Sequence, residues 1–238
     1  MRARLLATAA VLAVTSTLLA AAPAPADPSV PGPPGASVIT GRRAGNTEVP
    51  VTGGTARFTA PPKLLAALED HGVTIARLDA HGRISRQPAA DAGVRLDIEG
   101  GAVTNSGGKV GGELRFAKAG LALLNSGTGK SVRLSDFVGD LSQGALRARL
   151  NHDRDLTVGT FTRSATKAAV DTDTARLRMN VRIKVTAAAA ARLNAALGTK
   201  VFTAGGPLLH ARVDVRLDSS VDLRTALNLN RRPARRED

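Results

Sequence analysis

Two alternating runs constrain this chain more than anything else in it. Leu177, Met179, Val181, Ile183 and Val185 alternate with Arg176, Arg178, Asn180, Arg182 and Lys184. Leu209, Ala211, Val213, Val215 and Leu217 alternate in the same way with His210, Arg212, Asp214, Arg216 and Asp218. A period of two places every second side chain on one side of an extended strand. Each run therefore predicts a long strand with an apolar face and a polar, mostly basic one. A sheet that keeps one face in water is antiparallel as a rule.

Shorter runs of the same kind occur at Val94, Leu96 and Ile98, at Leu114 and Phe116, at Val132 and Leu134, and at Leu146, Ala148 and Leu150. Asn105-Ser106-Gly107-Gly108 and Asn125-Ser126-Gly127 supply residues that tolerate positive φ, and so predict hairpin tips. Two segments break the alternation with helical punctuation. Pro62 to His71 has Pro in its first turn and Gly72 after its end, while Ala187 to Leu197 has Thr186 as N-cap and Gly198 as terminator. The expected fold is mainly β, an antiparallel sheet or sandwich with two short helices. Each helix follows a strand and precedes another, about 126 residues apart, which suggests two related halves, 47–150 and 151–229.

The ends differ in kind from this middle. Arg2 and Arg4, an apolar stretch from Leu5 to Ala22 and the small residues Ala24-Pro25-Ala26 follow the three-part plan of a secretory signal peptide over residues 1–26. Residues 27–46 carry Pro28, Pro31, Pro33 and Pro34 among Gly and Ser, and read as a spacer. Residues 230–238 read as a basic tail that includes Arg231 to Arg236. The expectations are a β-rich domain over 47–229, a secreted or envelope-associated location, and no transmembrane span after cleavage. Loss of Arg2 and Arg4 with the leader lowers the net charge only from +13 to +11.

Composition removes several function classes. The chain has no Cys, so export is not accompanied by disulfides and thiol chemistry is absent. It has no Trp, no Tyr and five Phe, namely Phe58, Phe116, Phe137, Phe161 and Phe202. Stacking of sugars or bases on exposed rings is thus nearly unavailable, and all five Phe are expected in the core. Gly127-Thr128-Gly129-Lys130-Ser131 imitates the end of a phosphate-binding loop, but Leu124 stands where the first Gly belongs and a strand follows instead of a helix. No nucleotide is expected.

The four His (His71, His81, His152, His210) form no ligand spacing. Asn151-His152-Asp153-Arg154-Asp155 lacks the Gly and final Glu of a calcium loop and reads as a strand-to-strand turn. No Gly-x-Ser-x-Gly is present. Asp97 and Glu99 share a strand face with Arg95 and fit an ordinary polar surface better than an acid/base pair. What remains is charge. Arg176, Arg178, Arg182 and Lys184 on one strand, with Arg212 and Arg216 on another, form a candidate anion-binding face, set against simple solvation with Asp214 and Asp218 as counter-charges.

The stretch from Val94 to Leu150, about a quarter of the chain, carries a recognisable cadence. It runs Val94-Arg95-Leu96-Asp97-Ile98, Gly100-Gly101-Ala102-Val103, Gly111-Gly112-Glu113-Leu114-Arg115-Phe116, Gly120-Leu121-Ala122-Leu123, Val132-Arg133-Leu134-Ser135-Asp136-Phe137 and Gly144-Ala145-Leu146-Arg147-Ala148. This resembles the β-rich core of HtaA-type domains of exported actinobacterial surface proteins, which bind haem. The resemblance implies a β-rich envelope domain. In that family a Tyr, supported by a His after the Phe-containing strand, holds the haem iron. Here there is no Tyr, and Ala117-Lys118-Ala119 occupies the place of the His, so the family's ligation route is closed.

The expected function is accordingly a secreted cell-envelope binding or interaction module without catalysis and without a cofactor, with an anionic cell-wall polymer or surface as partner. The alternative is a haem or lipophilic-ligand carrier, for which His152 and His210 are the replacement ligands. An exported hydrolase using Asp or Glu pairs stands third.

Overall fold

The computed structural model describes residues 47–88, 93–106, 108–151, 155–163 and 166–229. The expected signal peptide, the Pro-rich spacer up to residue 46 and the tail from residue 230 lie outside them. In chain order the elements are β1 (Val49–Thr59), α1 (Pro62–Asp70), β2 (Val73–Leu78), β3 (Ile84–Pro88), β4 (Gly93–Ser106), β5 (Lys109–Phe116), β6 (Gly120–Asn125) and β7 (Ser131–Asp140). They continue with β8 (Ala145–Leu150), β9 (Asp155–Thr160), β10 (Lys167–Asp171), β11 (Arg176–Val185), α2 (Ala187–Leu197), β12 (Pro207–Leu217) and a single-turn α3 (Leu223–Ala226). Every strand pairing is antiparallel.

The ladder runs β7-β5-β4-β1-β12-β11-β9-β8 and then returns to β7, so eight strands close into a ring. Strand β6, followed by β2 and β3, branches from the first half of β7, and β10 lies along the first half of β11. Strand β7 can serve three neighbours because it bends. Its register on β8 shifts between Ser135 and Val138, and Asp136 sits there at φ 51°. Such a break turns a strand while leaving the pairing on either side intact.

Closure puts the apolar stripes of the two long runs inside. Leu177, Met179, Val181, Ile183 and Val185 are buried, as are Ala211, Val213, Val215 and Leu217. Phe58 joins the walls at the centre: its ring meets Phe116 edge-on at 5.6 Å and stacks on Phe137 at 6.0 Å. Four of the five Phe are buried and Phe161 is half-buried. Phe161 sits in the connection between β9 and β10 and Phe202 in that between α2 and β12. Strand β1 presses close on β12 at Gly54, where φ is +146° and an added Cβ would strike the Asp214 carbonyl. Only glycine meets both demands there.

Both helices cover one region of the ring, and their C-termini are tied to the same hairpin. Helix α2 starts at Thr186, whose Oγ1 accepts from the Ala189 amide at 3.1 Å and donates to the Thr157 carbonyl at 2.7 Å. It ends at Gly198 in the left-handed region, φ 67°. Its last carbonyl, on Leu197, receives Asn125 Nδ2 at 3.0 Å and Thr128 Oγ1 at 3.0 Å. Helix α1 is held at Gly72, whose carbonyl accepts from the Ser126 amide at 2.9 Å and from Ser126 Oγ at 3.0 Å. The β6–β7 hairpin, which includes the segment that imitated a phosphate loop, is thus a clamp on the C-terminal end of α2 and on the residue that follows α1. Its Gly-Lys pair lies over the C-terminus of α2, with Lys130 Nζ beside Gly198, where the helix dipole favours a cation.

Candidate anion-binding face

The outward side chains of β11 and β12 form one surface, and the register decides which charges meet. Arg176 lies opposite Arg216, Arg178 opposite Asp214, Asn180 opposite Arg212 and Arg182 opposite His210. The surface continues across β1 and β4, where Arg212 faces Arg57 and Arg57 faces Arg95. Three arginines therefore stand in line across three neighbouring strands. The six cations expected from the sequence share this face, with Arg176 half-buried and the other five exposed.

Counter-charge on the face is sparse. Asp214 Oδ2 takes Arg176 Nη1 at 3.4 Å and Arg178 Nε at 3.6 Å. Arg182, Lys184, Arg212 and Arg216 form no ion pair among the described residues. Asp218 does not act as a partner for them. It accepts from Ser220 Oγ at 2.7 Å and from the Ser220 amide at 2.9 Å, and these bonds hold its carboxyl below the usual aspartate value.

Sequence patterning alone could not place Arg57 and Arg95 on the face, because their relation to Arg212 is set by long-range register. The only signal was local: Arg57 and Arg95 each precede or follow an apolar residue in a short alternating run. Asp97 and Glu99 are also exposed on β4; Asp97 lies opposite Thr55, which in turn lies opposite Asp214, so two acids flank the row of three arginines.

The remaining candidates are dispersed. Among the described residues no three His, Asp or Glu come together as metal ligands. Beneath α1 and α2 lies an apolar cavity of about 30 Å³, lined by Leu64, Leu68, Phe137, Leu193 and Phe202 among others. It is far smaller than the engineered void of about 150 Å³ that admits benzene, and so it cannot hold a haem. His210 is exposed on the outer face, opposite Arg182 and Thr59, while His152 lies outside the described residues. In the segment Ala117-Lys118-Ala119, the Ala117 amide donates to the Asp97 carbonyl at 2.8 Å and Ala119 is buried. No helix among the described residues is long and apolar enough to cross a membrane.

No protein-family model matches the sequence, and no curated protein matches it. The fold does have a solved counterpart, the C-terminal domain of HtaA from Corynebacterium glutamicum. The two superpose with a TM-score of 0.50 at 11% identity, over 71% of this chain and 99% of that domain. At such low identity the likeness speaks for backbone architecture alone, and in those terms the ring of strands with its two helices is an HtaA-like fold.

Proposed function

We propose that this chain is a non-enzymatic binding module exported to the cell envelope, and that its outer basic face holds an anionic wall polymer or surface. One observation carries the reading: Arg182, Lys184, Arg212 and Arg216 lie exposed on one surface and form no ion pair among the described residues. Cations gathered on neighbouring strands without counter-charge repel one another. A polyanion laid across them turns that repulsion into attraction.

Spacing suits a repeating ligand. Neighbouring strands lie about 4.8 Å apart and same-face residues about 6.8 Å apart along a strand, so the face offers a grid of cations. Arginine supplies most of them, and its planar fork grips carboxylate or phosphate oxygens two at a time. The scarcity of aromatic rings fits recognition by charge in place of stacking, and the leader-like residues 1–26 support the location.

The test is binding of the full chain to a glycerol-phosphate polymer in a salt series from about 50 to about 500 mM, over which the Debye length shrinks several-fold. Affinity is expected to fall steeply with salt. Failure to bind at every salt concentration, or binding indifferent to salt, overturns the proposal. A Soret titration with haem is expected to leave the spectrum of free haem unchanged, since the chain has no Tyr to ligate the iron.

A further inference from the structure

A second cationic feature lies apart from the outer face. Arg163, in the connection between β9 and β10, donates from Nη2 to the Val110 carbonyl at 3.1 Å. Its Nε is buried and has no acceptor, and the residue forms no ion pair among the described residues. Arg163 is half-buried and its guanidinium keeps its charge in a protein, so an Nε–H out of water with no acceptor is unfavourable.

The guanidinium borders a cavity of about 90 Å³ lined by Lys109, Val110, Phe161, Arg163, Thr166 and Met179 among others. Lys109 and Arg163 supply two cations to this lining, and among the residues that line the cavity there is no carboxylate.

We infer that this cavity binds a small oxyanion, a carboxylate or phosphate group, with Arg163 as its receptor and the exposed Lys109 at its rim. A water molecule needs about 10–15 Å³ of such space, so 90 Å³ admits a group of a few heavy atoms and excludes a bulky ring system. The site does not depend on the outer face, since Arg163 belongs to neither β11 nor β12.

The experiment is an NMR titration of the full chain with inorganic phosphate in one arm and acetate in the other, reading the Arg163 Nε–H resonance and the backbone amides of Val110 and Thr166. A saturable shift is expected, and the arm that saturates at lower concentration identifies the preferred oxyanion. In Arg163→Gln the shift of the two amides is expected to saturate at about tenfold higher concentration or more, while Arg212→Gln leaves it unchanged and Arg163→Gln leaves polymer binding unchanged. Should Arg163→Gln fail to fold, Lys109→Gln, which removes the cation at the rim, is expected to weaken saturation about threefold. Shifts that climb linearly up to about 50 mM in both arms, the mark of an adventitious ion only, overturn the inference. Equal affinity in Arg163→Gln, or in Lys109→Gln if that variant alone folds, does the same.

Discussion

Replacing Asn125 by Ala removes the point at which the β6–β7 hairpin grips α2, and the cost can be worked from its bonds. Asn125 is only 4% exposed. Its Nδ2 donates to the Leu197 carbonyl at 3.0 Å, and its Oδ1 accepts from the Gly127 amide at 2.9 Å and the Thr128 amide at 3.2 Å. Each bond contributes about 0.5–1.5 kcal/mol net, and a partner left unpaired out of water costs up to about 1–3 kcal/mol. The Leu197 carbonyl keeps Thr128 Oγ1 and the Gly127 and Thr128 amides belong to exposed residues that water can reach, so the loss is that of the three bonds themselves. A destabilisation of about 2–4 kcal/mol follows.

Thr128→Val isolates the other half of the clamp and is expected to cost about 1 kcal/mol, since Leu197 then retains Asn125. Urea unfolding with an unchanged m-value is the assay. A cost below about 1 kcal/mol for Asn125→Ala, or equal costs for the two variants, refutes the clamp.

Further outcomes follow from the core and from the turns. Phe58→Ala, which removes the ring that bridges Phe116 and Phe137, is expected to cost about 3–5 kcal/mol in the same assay; a cost near 1 kcal/mol means the walls close without it. Asp79, Asp171, Asp218 and Asp222 all have carboxyls held below the usual aspartate value. The main causes are the Arg83 amide, the Thr174 side chain, the Ser220 side chain and the Thr225 side chain respectively. A depressed folded-state pKa adds stability that is fully present above the unfolded value of about 3.9 and is lost as pH falls through the folded one. Unfolding midpoints are therefore expected to hold level down to about pH 4 and decline below it, and Asp222→Asn should make that decline shallower. An unchanged acid limb in Asp222→Asn contradicts the assignment.

The alternating strands and both main helices were legible because their signals are local. Residues 177–185 and 209–217 alternate without a break, and Pro62, Thr186 and Gly198 sit where helix-end chemistry puts them. Strand β6 conceals itself differently: Leu121 and Leu123 face the main core while Ala122 faces a second apolar cluster with Ala76 and Leu78. A strand buried on both sides has no alternation to read. Short β9 and β10 offer too few residues for a pattern.

Ring closure was beyond reach for another reason. It rests on pairings such as Leu146 with Gly159 and Val185 with Gly159, and no local signal encodes which edges meet. The same holds for the candidate site. Its β11 and β12 cations could be named from period two, but their alignment with Arg57 and Arg95 is a product of register. The Arg163 cavity left no pattern at all, since its groups come from four separate segments.

The central claim is that position, and not bulk positive charge, makes the outer face a receptor for polyanions. Two triple variants of equal charge test it directly: Arg182→Gln with Arg212→Gln and Arg216→Gln on the face, and Arg77→Gln with Arg192→Gln and Lys200→Gln at exposed sites elsewhere. Affinity for a glycerol-phosphate polymer is measured for both at low salt. The face variant is expected to bind about tenfold more weakly or worse, with a flatter salt dependence, while the control stays within about twofold of the unaltered chain. Equal weakening of the two, or no weakening of the face variant, contradicts the account.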